Sequence, residues 1–126
     1  MLRVFFVSKN KVSEEMNNGV NIQRVSLKNI LNDVNKLRGF KKYIQKYLLE
    51  GDEILIISFV DTYFNSLNKE DEHKNLKIIH TRLPESSEHL LIKEIVNNQT
   101  KGLDYIEEKI ESLQGVLELF LFAVIR

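Results

Sequence analysis

The sequence predicts an α/β protein: one Rossmann-like domain over residues 1–126, built on a mostly parallel sheet of about five strands with helices on both faces. Three observations carry this expectation. Short apolar runs rich in β-branched and aromatic residues alternate with stretches of helical spacing. The runs Val4-Phe5-Phe6-Val7 and Ile54-Leu55-Ile56-Ile57 are apolar at every position, as in strands buried on both faces of a parallel sheet. One proline and the lack of a Gly/Ser linker argue against a second domain.

Leu2–Val7 is the first strand, bounded by polar residues. Val12–Asn18 is expected to form a short helix, capped by Ser13 and ended by Asn18-Gly19. Val20–Val25 is a weaker strand, with Val20, Ile22 and Arg24 expected on one face. Ser26 is a candidate N-cap for a long helix through Leu27, Ile30, Leu31, Val34 and Leu37 to Tyr43, Ile44, Tyr47 and Leu48. Gly39 interrupts that spacing, so the helix is expected to bend or divide there. Glu53–Val60 gives the clearest strand, and a short helix over Thr62–Leu67 and a charged loop follow it. Leu76–Thr81 is another strand. Pro84 sets a turn, and Ser86 or Ser87 caps a helix carrying Leu90, Leu91, Ile95 and Val96. Leu103, Ile106, Ile110 and Leu113 line a further helix, and the apolar Val116–Ile125 is expected to be a final strand.

Eighteen basic residues balance eighteen acidic ones, which disfavours a basic coat for duplex DNA while leaving room for a local basic pocket. There is no cysteine, so disulfides, thiolate metal sites and cysteine nucleophiles are excluded. The first apolar run is too short for a signal-peptide core, and no segment has the length to span a bilayer. A soluble cytoplasmic protein is the resulting expectation. His73, His80 and His89 lack a metal-ligand spacing, so neither a metal nor a cofactor is expected.

Three strands end in polar residues, and in open α/β sheets ligands bind at the carboxyl ends of the strands. Ser8, Lys9, Asn10 and Lys11 follow the first strand. They form either a phosphate cradle at a helix start or a solvated turn with a helix cap. Asp61 and Thr62 follow the central strand, where Asp61 caps a helix or accepts a ribose hydroxyl. His80, Thr81 and Arg82 follow the next strand. Arg82 offers bidentate phosphate recognition, and His80 is either a proton carrier or a histidine bonded to a neighbour. Strand alternation places His80 and Arg82 on one face and Thr81 on the other. Neither glycine-rich phosphate fingerprint, G-x-x-x-x-G-K-[ST] or G-x-G-x-x-G, is present. Lys36, Arg38, Lys41, Lys42 and Lys46 read as the solvated face of the long helix, and Tyr43 and Tyr47 as core rather than base-stacking residues.

Val4-Phe5-Phe6-Val7-Ser8-Lys9, Gly51-Asp52-Glu53-Ile54 and Leu83-Pro84-Glu85 together resemble the stand-alone CRISPR-associated ring nucleases, small relatives of the CARF domain. The likeness spans roughly Val4 to Glu94. It departs where Ser8-Lys9-Asn10 replaces an expected Ser-Arg-His, and where the Ser26–Glu50 segment looks like an insertion. The resemblance implies a homodimer that binds cyclic oligoadenylate across its two-fold axis in antiviral defence. It further implies metal-independent cleavage by the ribose 2′-hydroxyl, with Lys9 or Arg82 stabilising charge on the phosphate. The alternative reading of the same fold is a non-catalytic nucleotide-sensing or protein-interaction module.

Overall fold

Phe5, Phe6 and Val7 are fully buried although they alternate between faces, because their strand, β1 (Leu2–Ser8), lies in the middle of the sheet. A computed structural model describes the backbone of residues 1–9, 11–26, 34–60 and 74–125, and the side chains of all of these but 34–37 and 120–125. The other strands are β2 (Ser13–Asn17), β3 (Val20–Ser26), β4 (Glu53–Ser58) and β5 (Leu76–His80). The order across the sheet is β2-β3-β1-β4-β5. β3, β1, β4 and β5 run parallel, and β2 pairs antiparallel with β3 at the edge. Three helices complete the described chain: α1 (Val34–Leu49), α2 (Glu88–Asn97) and α3 (Leu103–Ile125). The predicted α/β class, the mostly parallel sheet and the helices on both faces are all observed.

Strand alternation sorts the core into two layers. Val4, Phe6, Leu55, Ile57 and Ile79 face α2 and α3, where Leu91, Ile95, Ile106 and Ile110 meet them. Phe5, Val7, Ile54 and Ile56 face α1 and pack on Ile44, Phe40 and Tyr43. Phe5 stands edge-on to Phe40 at 5.6 Å and to Tyr43 at 6.1 Å, a geometry that suits the ring quadrupoles. Tyr43 and Tyr47 are half-buried and pack against this layer, as the spacing predicts, and Arg38, Lys42 and Lys46 are exposed. Tyr47 lies beneath the Arg3 guanidinium at 3.6 Å, and Asp52 accepts from Arg3 at 2.8 Å. This cluster closes the amino edge of the sheet.

Two expected elements are replaced. The segment 12–18 is not a helix: Ser13–Asn17 is β2, joined to β3 by a tight turn at Asn18-Gly19. Both turn residues have positive φ, 49° and 87°, which is the type I′ geometry that Asn-Gly favours in hairpins. The apolar segment 116–125 is not a strand. It continues α3, which runs unbroken through Gly115. The sheet therefore keeps its expected number of strands, with β2 in place of the C-terminal one. The long helix is continuous through Gly39 over its described length, so it does not divide there. Its expected first turns, together with the predicted helix at 62–67, lie outside the described residues.

β2 sits outside β3, so the chain leaving β1 must cross over the carboxyl end of β3 to reach it. Lys9, Lys11 and Val12 lie on that crossing. Ser26, expected as a helix cap, ends β3, and its hydroxyl donates to the Lys9 carbonyl at 2.7 Å, tying the crossing down.

Candidate functional site

The parallel strands place β3 on one side of β1 and β4 and β5 on the other. The carboxyl ends of β1 and β4 thus flank the point where the strand order reverses. Ser58 ends β4 beside Val7 of β1 and opposite His80 of β5. Just beyond this edge is a cavity of about 480 Å³, lined among the described residues by Val60, His80, Thr81 and Arg82. Its size falls in the ordinary range for small-molecule sites.

Hydroxyl groups at the strand ends are engaged in turning the chain. The Ser8 hydroxyl accepts from the Lys11 backbone N–H at 3.2 Å. Ser58 donates to the Val60 carbonyl at 2.6 Å and accepts from the Val60 N–H at 3.3 Å. Thr81 accepts from the Leu83 N–H at 3.1 Å and donates to the Gln114 side-chain oxygen at 2.9 Å. Each is a local alternative to a backbone bond where the ladder stops, except that Thr81 also reaches a distant helix. All three residues are buried. Their groups act in the scaffold, and the long charged side chains project beyond them.

Lys9, Lys11, His80 and Arg82 are exposed. Arg82 and Lys9 have no ion-pair partner among the described residues, so their charges face solvent at this edge. The Arg82 guanidinium offers five N–H donors in a planar fork that matches two phosphate oxygens. Leu83 on its far side is anchored in the core, and Pro84 and the 3₁₀ turn Glu85–Ser87 lead into α2. Arg82 is therefore an exposed side chain between two buried neighbours, on a backbone fixed at both sides. His80 lines the same cavity. Thr81 shares the lining but turns its hydroxyl toward α3, in keeping with the alternation expected at the end of β5.

The helix start expected just after Ser8–Lys11 is absent, since Ser13 begins β2, and Lys9 and Lys11 lie on the crossing that leads to it. A phosphate there would meet side-chain ammonium groups and loop N–H groups, without a helix N-terminus. Asn10, Asp61 and Thr62, and His73 of the charged loop, lie outside the described residues. Among the described residues no group of three His, Asp or Glu side chains could hold a metal ion.

Sequence reasoning missed Ser58, Val60 and Gln114. Ser58 is concealed inside a run that reads as strand through Val60. Gln114 is visible only as a polar position in an apolar helix, and its partner lies 33 residues away. A second depression, of about 340 Å³, lies between the β2–β3 turn and α2, with Asn17, Asn18, His89 and Lys93 in its wall. It contains none of the residues singled out for phosphate recognition.

Comparison with protein-family models, curated proteins and solved structures finds no match to this chain. Among the described residues no helix is long and apolar enough to cross a membrane.

Proposed function

We propose that the protein binds a phosphorylated nucleotide in the cavity at the carboxyl edge of β4 and β5, and that cyclic oligoadenylate is this ligand. The observation that carries the reading is Arg82, an exposed guanidinium without an ion-pair partner among the described residues, held on an anchored turn that lines a cavity large enough for a nucleotide. Lys9, at the end of the neighbouring central strand, adds a second cation on the same edge.

In this reading the protein is a ring nuclease that works without a metal. The ribose 2′-hydroxyl attacks the adjacent phosphorus, the new 2′-O–P bond forms, and the bond to the 5′-oxygen breaks. The products are a 2′,3′-cyclic phosphate and a 5′-hydroxyl, with the proton passing from the attacking to the departing oxygen. Arg82 and Lys9 offset the charge that gathers on the phosphate oxygens, and the cavity holds the hydroxyl in line. His80, which lines the cavity, carries the proton in this reading. The protein acts as a homodimer, and Val116 and Leu119, exposed on the outer half of α3, support a contact between two copies.

A binding-only module is the second reading. It is favoured by the engagement of the Ser8 and Thr81 hydroxyls in the scaffold, which leaves fewer groups for chemistry at the edge. Incubation with cyclic tetra-adenylate and cyclic hexa-adenylate in the presence of a chelator separates the two. Cleavage supports the nuclease, binding without cleavage supports the sensor, and no interaction overturns both. Calorimetric titration of Arg82→Ala tests the cavity itself. Loss of a charge-assisted bidentate contact should weaken binding by about 1.5–3 kcal/mol. A change in stability below about 0.5 kcal/mol is expected for an exposed arginine. Unchanged affinity in this variant removes Arg82 from the site.

A further inference from the structure

The hydroxyl turns at this edge differ in one respect. Among the described residues the Ser8 and Ser58 hydroxyls bond only to backbone within three residues of themselves, so their turns are self-contained. Thr81 bonds to Leu83 two residues on and also to Gln114 on α3, 33 residues away. A hydroxyl has one proton and two acceptor lone pairs. With its proton directed at the Gln114 oxygen at 2.9 Å, Thr81 turns its lone pairs to the Leu83 N–H at 3.1 Å. The Thr81 N–H meanwhile donates to the Ser58 carbonyl at 3.0 Å. The backbone on either side of Arg82 is therefore held by β4 and, through Thr81, by α3.

From this geometry we infer that Gln114 is a positioning residue for the cavity: it fixes the Thr81 hydroxyl, which fixes the Leu83 turn, which presents Arg82. The inference rests on the reading of the cavity as an anion site and extends it to a residue that does not line it. Thr81 and Leu83 are 7 % and 3 % exposed, so water is a poor substitute for the lost acceptor. Without Gln114 the hydroxyl rotates to seek another acceptor, and the Leu83 N–H loses its fixed partner. The position of α3 along the sheet is thereby transmitted to the arginine.

Two measurements on Gln114→Leu test this, with Gln114→Glu as the variant that keeps an acceptor oxygen. The first is amide hydrogen exchange without ligand. Exchange at Leu83 should rise about tenfold in Gln114→Leu, the scale of one hydrogen bond, relative to Ile79 within β5. Gln114→Glu should restore most of the protection. A general loss of stability would move both amides together, and equal Leu83 exchange in wild type and Gln114→Leu overturns the inference. The second is the Kd for cyclic tetra-adenylate in a double-mutant cycle with Arg82→Ala. Gln114→Leu alone should weaken binding about five- to tenfold, and should add nothing once Arg82 is gone. If Arg82→Ala weakens binding and Gln114→Leu does not, the positioning role fails and the cavity reading stands. If wild type does not bind the probe, or Arg82→Ala binds it normally, the cavity reading fails and the positioning role with it.

Discussion

Arg24 makes three side-chain contacts that join three elements, so its removal has a calculable result. From β3 its Nε donates to the Glu88 carboxylate at 2.6 Å, at the first residue of α2. Its Nη atoms reach Ser13 at 3.0 Å and Glu15 at 3.1 Å, both on β2. The Arg24 and Glu88 side chains are 17 % and 12 % exposed, whereas Glu15 is 48 % exposed. Breaking a fully buried pair costs about 3–5 kcal/mol, and an exposed pair is worth about 1 kcal/mol or less. The Glu15 contact is of the exposed kind and the Glu88 contact lies nearer the buried limit. Arg24→Met should therefore destabilise the protein by about 2–3 kcal/mol, most of it from the stranded Glu88 carboxylate. With a urea m-value of about 1.5 kcal/mol/M, the unfolding midpoint falls by about 1.3–2 M. The double variant Arg24→Met/Glu88→Leu removes the stranded charge as well. It should recover to within about 1 kcal/mol of wild type, less the small contribution of an acidic residue in the first turn of α2. Urea unfolding followed by circular dichroism gives both midpoints. A double variant as unstable as the single one would show that the loss comes from packing rather than from an unpaired charge.

Gly39 is exposed within α1 and an added methyl group would meet nothing within 4 Å among the described residues, so Gly39→Ala should stabilise the protein by about 0.5–1 kcal/mol in the same assay. Gly19→Ala should do the opposite: its φ of +87° is strained for alanine, although the methyl would sit 3.6 Å from Gln99, and a loss of about 1–2 kcal/mol is expected. Asp52 is held below its ordinary value of 3.8, first by the bond from Arg3 and further by the chain amino group, with burial opposing both. Its contribution to stability is present above that value and is lost as pH falls through the folded pKa, so Asp52→Asn should be less stable than wild type at pH 6 and the gap should close in acid; a gap independent of pH would refute the ion-pair account. If cyclic oligoadenylate is cleaved, Lys9→Ala should slow the single-turnover rate by about 10²-fold and His80→Ala by less, and the reverse order would assign the chemistry to proton transfer.

Periodicity and burial logic located the elements that form the core. β1 and β4 were legible because central parallel strands must be apolar on both faces, and α1 and α2 because their apolar positions follow helical spacing. β2 was not legible. Ser13-Glu14-Glu15 carries the composition of a helix start, and its exposed strand has no apolar alternation to betray it. The available signal was Asn18-Gly19, which ends helices but more specifically closes hairpins. The second half of α3 was misread because Val116–Ile125 is apolar at nearly every position, which leaves periodicity without contrast. Leu117 follows Leu113 by four residues and continues the stripe of Leu103, Ile106 and Ile110, and Gly115 alone does not break it. At the site, the sequence indicated which strand ends gather polar residues. It did not distinguish hydroxyls that fold inward from cations that remain exposed, because that depends on which loop each strand enters.

The edge strand also bears on how the molecule avoids its own kind. β2 is five residues long, and among the described residues no strand pairs with its outer backbone groups. Such a border invites another chain to add to the sheet. Glu14 and Glu15 occupy successive positions and so face opposite sides. Asn21 bonds one carboxylate at 3.1 Å, and Arg24 bonds the other at the same distance. A second β2 laid antiparallel and centred on Glu15 would bring two copies of that carboxylate face to face. A strand from any neighbour would meet negative charge above and below the sheet. Replacing both glutamates with threonine would leave the strand its shape and remove that barrier, exposing a border suited to end-to-end growth.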